Sequence, residues 1–126
     1  MARILAIDDH PSVRKVLEFC LQRDGHSVLL AADGPTGLRM AADNSVDFVI
    51  LDYDMPVMNG VAVCKAMKAD PVLRQLPLVM ITAYSTNEII RQALGAGALE
   101  VIPKPFSMEH LKTTVNRYLT EAKPVG

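Results

Sequence analysis

Five short apolar runs, each nearly continuous and each separated from the next by an amphipathic stretch, constrain this chain more than any other feature. The runs are Arg3 to Ile7, Ser27 to Ala31, Asp47 to Leu51, Leu78 to Thr82 and Leu99 to Ile102. A strand with one wet face alternates apolar and polar residues, whereas a strand covered on both faces reads as an unbroken apolar run. Between the runs, Val13, Val16, Leu17, Cys20 and Leu21 form the stripe of an amphipathic helix. Met108, Leu111, Val115 and Tyr118 repeat that stripe after Ser107, a candidate N-cap. Weaker helical stretches run from Pro35 to Ala42, Val61 to Lys68 and Thr86 to Leu94, with Gly25, Gly34, Gly60, Gly95 and Gly97 marking boundaries.

Regular alternation of this kind builds a parallel sheet with right-handed crossovers and helices on both faces. The spacing predicts a flavodoxin-like, doubly wound α/β fold: a five-stranded parallel sheet of order 2-1-3-4-5 with five helices. In that order the switch point lies between strands one and three, where such folds place their ligands. At 126 residues the chain suits one domain (1–126), with a core from about 3 to 120 and a short tail over 121–126.

Composition excludes several classes. The formal net charge of −1 offers no basic patch for nucleic acid, and the scattered basic residues, among them Arg14, Lys68 and Arg117, read as solvated helix faces. Cys20 and Cys64 lack metal-type spacing and fall at apolar helical positions, as buried thiols do. The apolar run after Met1-Ala2-Arg3 is too short for a signal-peptide core, and nothing reaches the length of a membrane span. A cytoplasmic location without membrane insertion or direct nucleic-acid contact is the expectation.

Carboxylates gather where the fold places ligands. The first run ends in Asp8 and Asp9, and the third ends at Asp52, followed by Tyr53, Asp54, Met55 and Pro56. Two unit charges about 5 Å apart repel by roughly 3 kcal/mol at an effective dielectric near 20. Three such carboxylates need a cation between them, and Mg2+ suits, because it prefers oxygen ligands and bridges carboxylates to phosphate. Asp8 and Asp9 could instead cap the helix that Pro11 opens. Capping accounts for one acid, but not for two facing a third. Thr82 ends the fourth run and Lys104 follows the fifth, so a hydroxyl and an ammonium reach the same sheet edge. That set suits phosphoryl transfer, which depends mainly on positioning and charge stabilisation.

These residues together resemble the receiver domain of two-component response regulators, and the length is similar to that of single-domain, chemotaxis-type regulators. The resemblance rests on Asp8-Asp9, Asp52 with Met55-Pro56 and Gly60, Thr82-Ala83, and Lys104-Pro105-Phe106, in order and at family spacing. It implies a phosphorylation-controlled signalling switch, not a turnover enzyme. Asp52 would accept a phosphoryl group from a histidine kinase or histidine phosphotransfer protein and pass the signal to an unknown downstream protein. The resemblance further implies that Asp9 and Asp52 ligate Mg2+ directly, Asp8 through water, and Asp54 through its backbone carbonyl. Lys104, the Thr82 hydroxyl and the Ala83 N–H would contact the phosphoryl oxygens, and the Lys104–Pro105 bond would be cis.

Three positions give this chain its own character. Val101 stands where the family usually carries an inward-rotating Tyr or Phe. Asp54 and Tyr84 occupy the positions that tune hydrolysis of the acyl phosphate. Two other chemistries compete. Asp52-Tyr53-Asp54 also resembles the Asp-x-Asp of haloacid-dehalogenase-like phosphatases and phosphotransferases, although Pro56 departs from that motif and Asp8-Asp9 is left without a role. A flavin carrier of the same fold would need anion-binding donors where this chain has Asp8 and Asp9.

Overall fold

Each apolar run becomes a strand and each amphipathic stretch a helix in the computed structural model, which describes residues 2–122. In chain order the elements are β1 (Arg3–Ile7), α1 (Pro11–Arg23), β2 (Ser27–Ala31), α2 (Gly34–Asp43), β3 (Phe48–Asp52) and α3 (Gly60–Ala69). They continue with a 3₁₀ turn (Leu73–Gln75), β4 (Leu78–Thr82), α4 (Asn87–Ala96), β5 (Glu100–Pro103) and α5 (Met108–Ala122). The sheet is wholly parallel in the order β2-β1-β3-β4-β5, as the alternation predicts.

The unbroken apolar runs have the expected cause. Leu5, Ile7, Val49, Leu51, Leu78 and Met80 bury one sheet face beside Val63 and Met67 of α3 and Ala93 of α4. Their neighbours Ile4, Ala6, Phe48, Ile50, Val79 and Ile81 bury the other against Leu17 and Leu21 of α1 and Leu111 and Val115 of α5. Period-two alternation thus sends successive residues of a central strand into two separate cores. The edge strands β2 and β5 are only partly covered.

Several bounds differ from the sequence reading. β3 begins at Phe48, not Asp47, and takes in Asp52. The Asp47 carboxylate instead accepts from the Arg3 N–H at 2.8 Å, closing the strand entrance. β5 starts at Glu100, just after the apolar Leu99, which lies half-exposed with its N–H donating to the Leu78 carbonyl at 2.8 Å. Thr86 precedes α4 as its N-cap, its hydroxyl accepting from the Ile89 N–H at 3.2 Å. Ser107 caps α5 as expected, accepting from the His110 N–H at 2.9 Å. That helix runs beyond Thr120 into the expected tail, whose residues 123–126 lie outside the described ones.

Side-chain placement also departs from the helical stripes in places. Val16 and Met108 are exposed: Val16 lines an open groove with Pro105 and Phe106, and Met108 lines a separate one with Cys20 and Arg23. Three basic residues do more than solvate a helix. Arg14 Nη1 donates to the Asp8 carbonyl at 2.7 Å. Lys68 Nζ donates to the carbonyls of Arg74 and Leu76. Arg117 pairs with Glu100 at 3.4 Å. Cys20 and Cys64 are buried free thiols.

Candidate functional site

The register fixes the site before any side chain is considered. Ile7 pairs with Leu51 across β1 and β3, so the next residues, Asp8 and Asp52, emerge side by side at the carboxyl edge. Asp52 pairs with Ile81, and Thr82 with Pro103, which brings Thr82 and Lys104 to the same edge. Ladder hydrogen bonds continue past the strand ends, from Tyr53 N–H to the Ile81 carbonyl and from Lys104 N–H to the Thr82 carbonyl, each at 2.8 Å. These bonds hold the loop residues in strand-like positions. Asp8, Asp52 and Thr82 have no exposed surface.

Lys104 Nζ stands 3.2 Å from both Asp8 Oδ2 and Asp52 Oδ1. One ammonium therefore ties together the ends of β1, β3 and β5. Burial, helped by the neighbouring Asp8 charge, raises the Asp52 pKa to about 6, against the opposing pull of Lys104. Burial lowers the Lys104 pKa, but Asp52 and Asp8 outweigh it, and the net direction is upward. Lys104–Pro105 is cis.

The acids do not cap α1. Its N-cap is His10, whose side chain makes no capping bond, and Asp8 Oδ1 accepts from the His10 N–H at 2.8 Å. Asp9 Oδ1 and Asp52 Oδ2 are buried without a hydrogen-bond partner. Orphaned carboxylate oxygens are costly in a folded protein. Asp8, Asp9, His10 and Asp52 each bring one ligand atom into a group lying within 4.8 Å of one another. Three carboxylates facing a single ammonium leave an excess of negative charge, and the mainly oxygen donor set fits a hard divalent cation. The Asp54 carboxylate is not part of that group, and its N–H points to Asp52 Oδ1 at 3.4 Å. The Asp-x-Asp phosphatase alternative, which requires the second carboxylate at the site, lacks that feature here.

The loop after β3 explains Gly60. A Cβ there would sit 2.6 Å from the Asp52 carbonyl oxygen and 2.8 Å from the Tyr53 Cα, so only glycine lets α3 start this close to the site. Asn59 caps that helix, accepting from the Ala62 N–H at 3.0 Å.

Thr82 Oγ1 accepts from the Tyr84 N–H at 3.0 Å. Ala83 and Tyr84 lie at the surface, and Val101 packs partly buried against the core on the α2–α4 side of the sheet. The sequence reading gave His10 and Arg14 no part in the site. A histidine directly after an acidic pair was the available signal for the first. The bond from Arg14 to a backbone carbonyl carries no residue-type signature.

The chain belongs to the response regulator receiver domain family, whose model matches residues 4–116. It is 40% identical over 124 residues to the response regulator PleD of Caulobacter vibrioides, covering 98% of this chain and 27% of that protein. It is 37% identical over 122 residues to the response regulator MprA of Mycobacterium leprae, covering 97% of this chain and 53% of that protein. The chain thus spans between a quarter and about half the length of these curated relatives. Among solved structures, chemotaxis protein CheY4 of Vibrio cholerae superposes with a TM-score of 0.89 at 35% identity, covering 93% of this chain and 98% of that one. The receiver domain of a sensor histidine kinase from Pseudomonas aeruginosa, which has a magnesium ion coordinated in its active-site cleft, gives 0.88 at 28% identity, covering 94% and 98%. Among the described residues, no helix is long and apolar enough to cross a membrane.

Proposed function

We propose that the chain is a phosphorylation-controlled switch in which Asp52 accepts a phosphoryl group from a phosphohistidine on a histidine kinase or histidine phosphotransfer protein. An Asp52 carboxylate oxygen attacks phosphorus, the new O–P bond forms, and the imidazole of the donor leaves with the electron pair of the broken N–P bond. The observation that carries this reading is the state of Asp52. It has no exposed surface, one oxygen lies 3.2 Å from Lys104, and the other has no partner.

The surrounding residues take their roles from position. Lys104 neutralises charge on the transferred group, moving its ammonium from the carboxylates to a phosphoryl oxygen. The Thr82 hydroxyl and the Ala83 N–H donate to the remaining oxygens. Asp9 and Asp52, with Asp8 and the Asp54 backbone carbonyl, would hold Mg2+. When bound, the ion offsets carboxylate repulsion and lets an anionic donor approach. Asp54 and Tyr84, at the tuning positions, border the route of hydrolytic water. The domain assists its own phosphorylation and hydrolysis but does not turn over substrate as an enzyme does. The recipient of the signal is another protein.

Intact-mass measurement with a small-molecule phosphodonor, with Mg2+ and with EDTA, tests the reading. A gain of one phosphoryl group that needs both Mg2+ and Asp52 is expected. Undiminished labelling of Asp52→Asn, or indifference to EDTA, would overturn it.

A further inference from the structure

We propose that His10 is a metal ligand of this site through Nδ1, and that the imidazole makes the site favour nitrogen-tolerant divalent ions, Mn2+ and Co2+, over Mg2+. The inference rests on the proposed reading that the acidic cluster holds a divalent cation.

Nδ1 of His10 lies 3.1 Å from Asp9 Oδ1 and 3.3 Å from Asp8 Oδ1. An octahedral ion with bonds of about 2.1 Å holds neighbouring ligand atoms about 3.0 Å apart. Nδ1 and Asp9 Oδ1 already stand at nearly that separation. Their contact is not a hydrogen bond, because Asp9 Oδ1 has no hydrogen-bond partner. With the ring proton on Nε2, Nδ1 and Asp9 Oδ1 are two lone-pair atoms side by side, as a shared cation would hold them; with the proton on Nδ1, the ring donates to Asp8 Oδ1 at 3.3 Å instead.

A second feature points to a cation in the same group. Asp52 has no exposed surface, yet its Oδ2 has no partner, and Asp52 belongs to the same group of ligand atoms within 4.8 Å. Asp8 is otherwise engaged, its Oδ2 with Lys104 and its Oδ1 with the His10 N–H. The unspent capacity therefore belongs to Asp9 and Asp52, and His10 Nδ1 joins them by exchanging its contact with Asp8 Oδ1 for the cation.

The backbone anchors His10 beside the acids. His10 is extended (φ −92°, ψ 115°), as a residue before proline must be, and it occupies the N-cap of α1 without using its side chain there. The ring thus starts from an anchored Cα beside the acids. An all-oxygen site suits Mg2+, whereas an imidazole adds most for ions further along the transition series, with Co2+ above Mn2+.

The whole chain would be titrated with Mg2+, Mn2+ and Co2+ by calorimetry at about pH 7.5, alongside His10→Asn and Asp9→Asn, and its Mn2+ complex examined by pulsed electron paramagnetic resonance. The expected result is modulation from a directly bound nitrogen, absent in His10→Asn, and a Mn2+-to-Mg2+ affinity ratio about tenfold lower in that variant. If Asp9→Asn loses binding while His10→Asn matches the wild type and no nitrogen modulation appears, His10 is not a ligand and the acidic site stands alone. If the wild type binds none of the ions, the cation reading falls and the proposal falls with it.

Discussion

Thr82 Oγ1 is held by the Tyr84 N–H at 3.0 Å, so the hydroxyl we propose for a phosphoryl group is engaged by its own loop. Drawing Oγ1 toward a phosphoryl group on Asp52 would pull it from that N–H and shift the β4–α4 loop, where Tyr84 is 62% exposed. Val101 cannot transmit the change as an aromatic side chain would, because a β-branched residue in a strand has few rotamers. With beryllofluoride as a phosphoryl mimic, the largest chemical-shift changes away from the bound group should fall on residues 83–87. Changes centred on Val101 and α5 with a still loop would contradict this.

Asp52 makes stability depend on pH in a defined sense. Its pKa of about 6 exceeds the ordinary value of 3.8, so the folded protein holds this proton more tightly than the unfolded chain. Stability from this group is therefore present at low pH and lost as pH rises through 6. The loss is on the order of 2–3 kcal/mol at 1.36 kcal/mol per unit. Thermal melts in EDTA should show Asp52→Asn more stable than wild type at about pH 7.5, by about 1–3 kcal/mol. That advantage should shrink as pH falls through 6. An advantage independent of pH would show that the buried charge is not its source.

Val57 is a β-branched residue at φ 70°, in a turn closed by the Met58 N–H donating to the Pro56 carbonyl at 2.7 Å. The left-handed region costs an L-residue roughly 1–2 kcal/mol, and the side chain, fully exposed, recovers nothing by packing. Glycine removes the strain but gives the unfolded chain more freedom, worth about 0.4–1 kcal/mol. Val57→Gly should raise the urea midpoint by the equivalent of about 0.5–1 kcal/mol. A lower midpoint would rule out strain at this turn.

Two glycines in helices should respond in opposite directions. At Gly60 a Cβ meets the backbone of Asp52 and Tyr53, which cannot yield, so Gly60→Ala should cost about 1–3 kcal/mol and slow phosphorylation. At Gly95, in α4, a Cβ meets nothing within 4 Å, and Gly95→Ala should stabilise by about 0.8–1 kcal/mol. Denaturant titration of both variants checks the pair. Equal effects would mean that close approach at Gly60 is unimportant.

The sequence made the sheet legible because central strands buried on both faces leave an apolar run that little else imitates. It was less exact at strand ends, where strand pairing and hydropathy part company. Asp52 belongs to β3 although it is charged, and Leu99 stays outside β5 although it is apolar. The acids, Thr82 and Lys104 were legible because parallel strands deliver their last residues to one edge. The contact of His10 with Asp9 was not, because it depends on a side-chain torsion. The turn at Val57 was hidden because a β-branched residue argues against the conformation it adopts.

Reductive trapping with borohydride tests the central claim most directly, since it converts an aspartyl phosphate to homoserine and leaves a free carboxylate untouched. After incubation with a phosphodonor and Mg2+, peptide mass spectrometry should place homoserine at position 52 and at no other aspartate. Homoserine at Asp8, Asp9 or Asp54, or its absence from a protein that carries a phosphoryl group, would contradict the account.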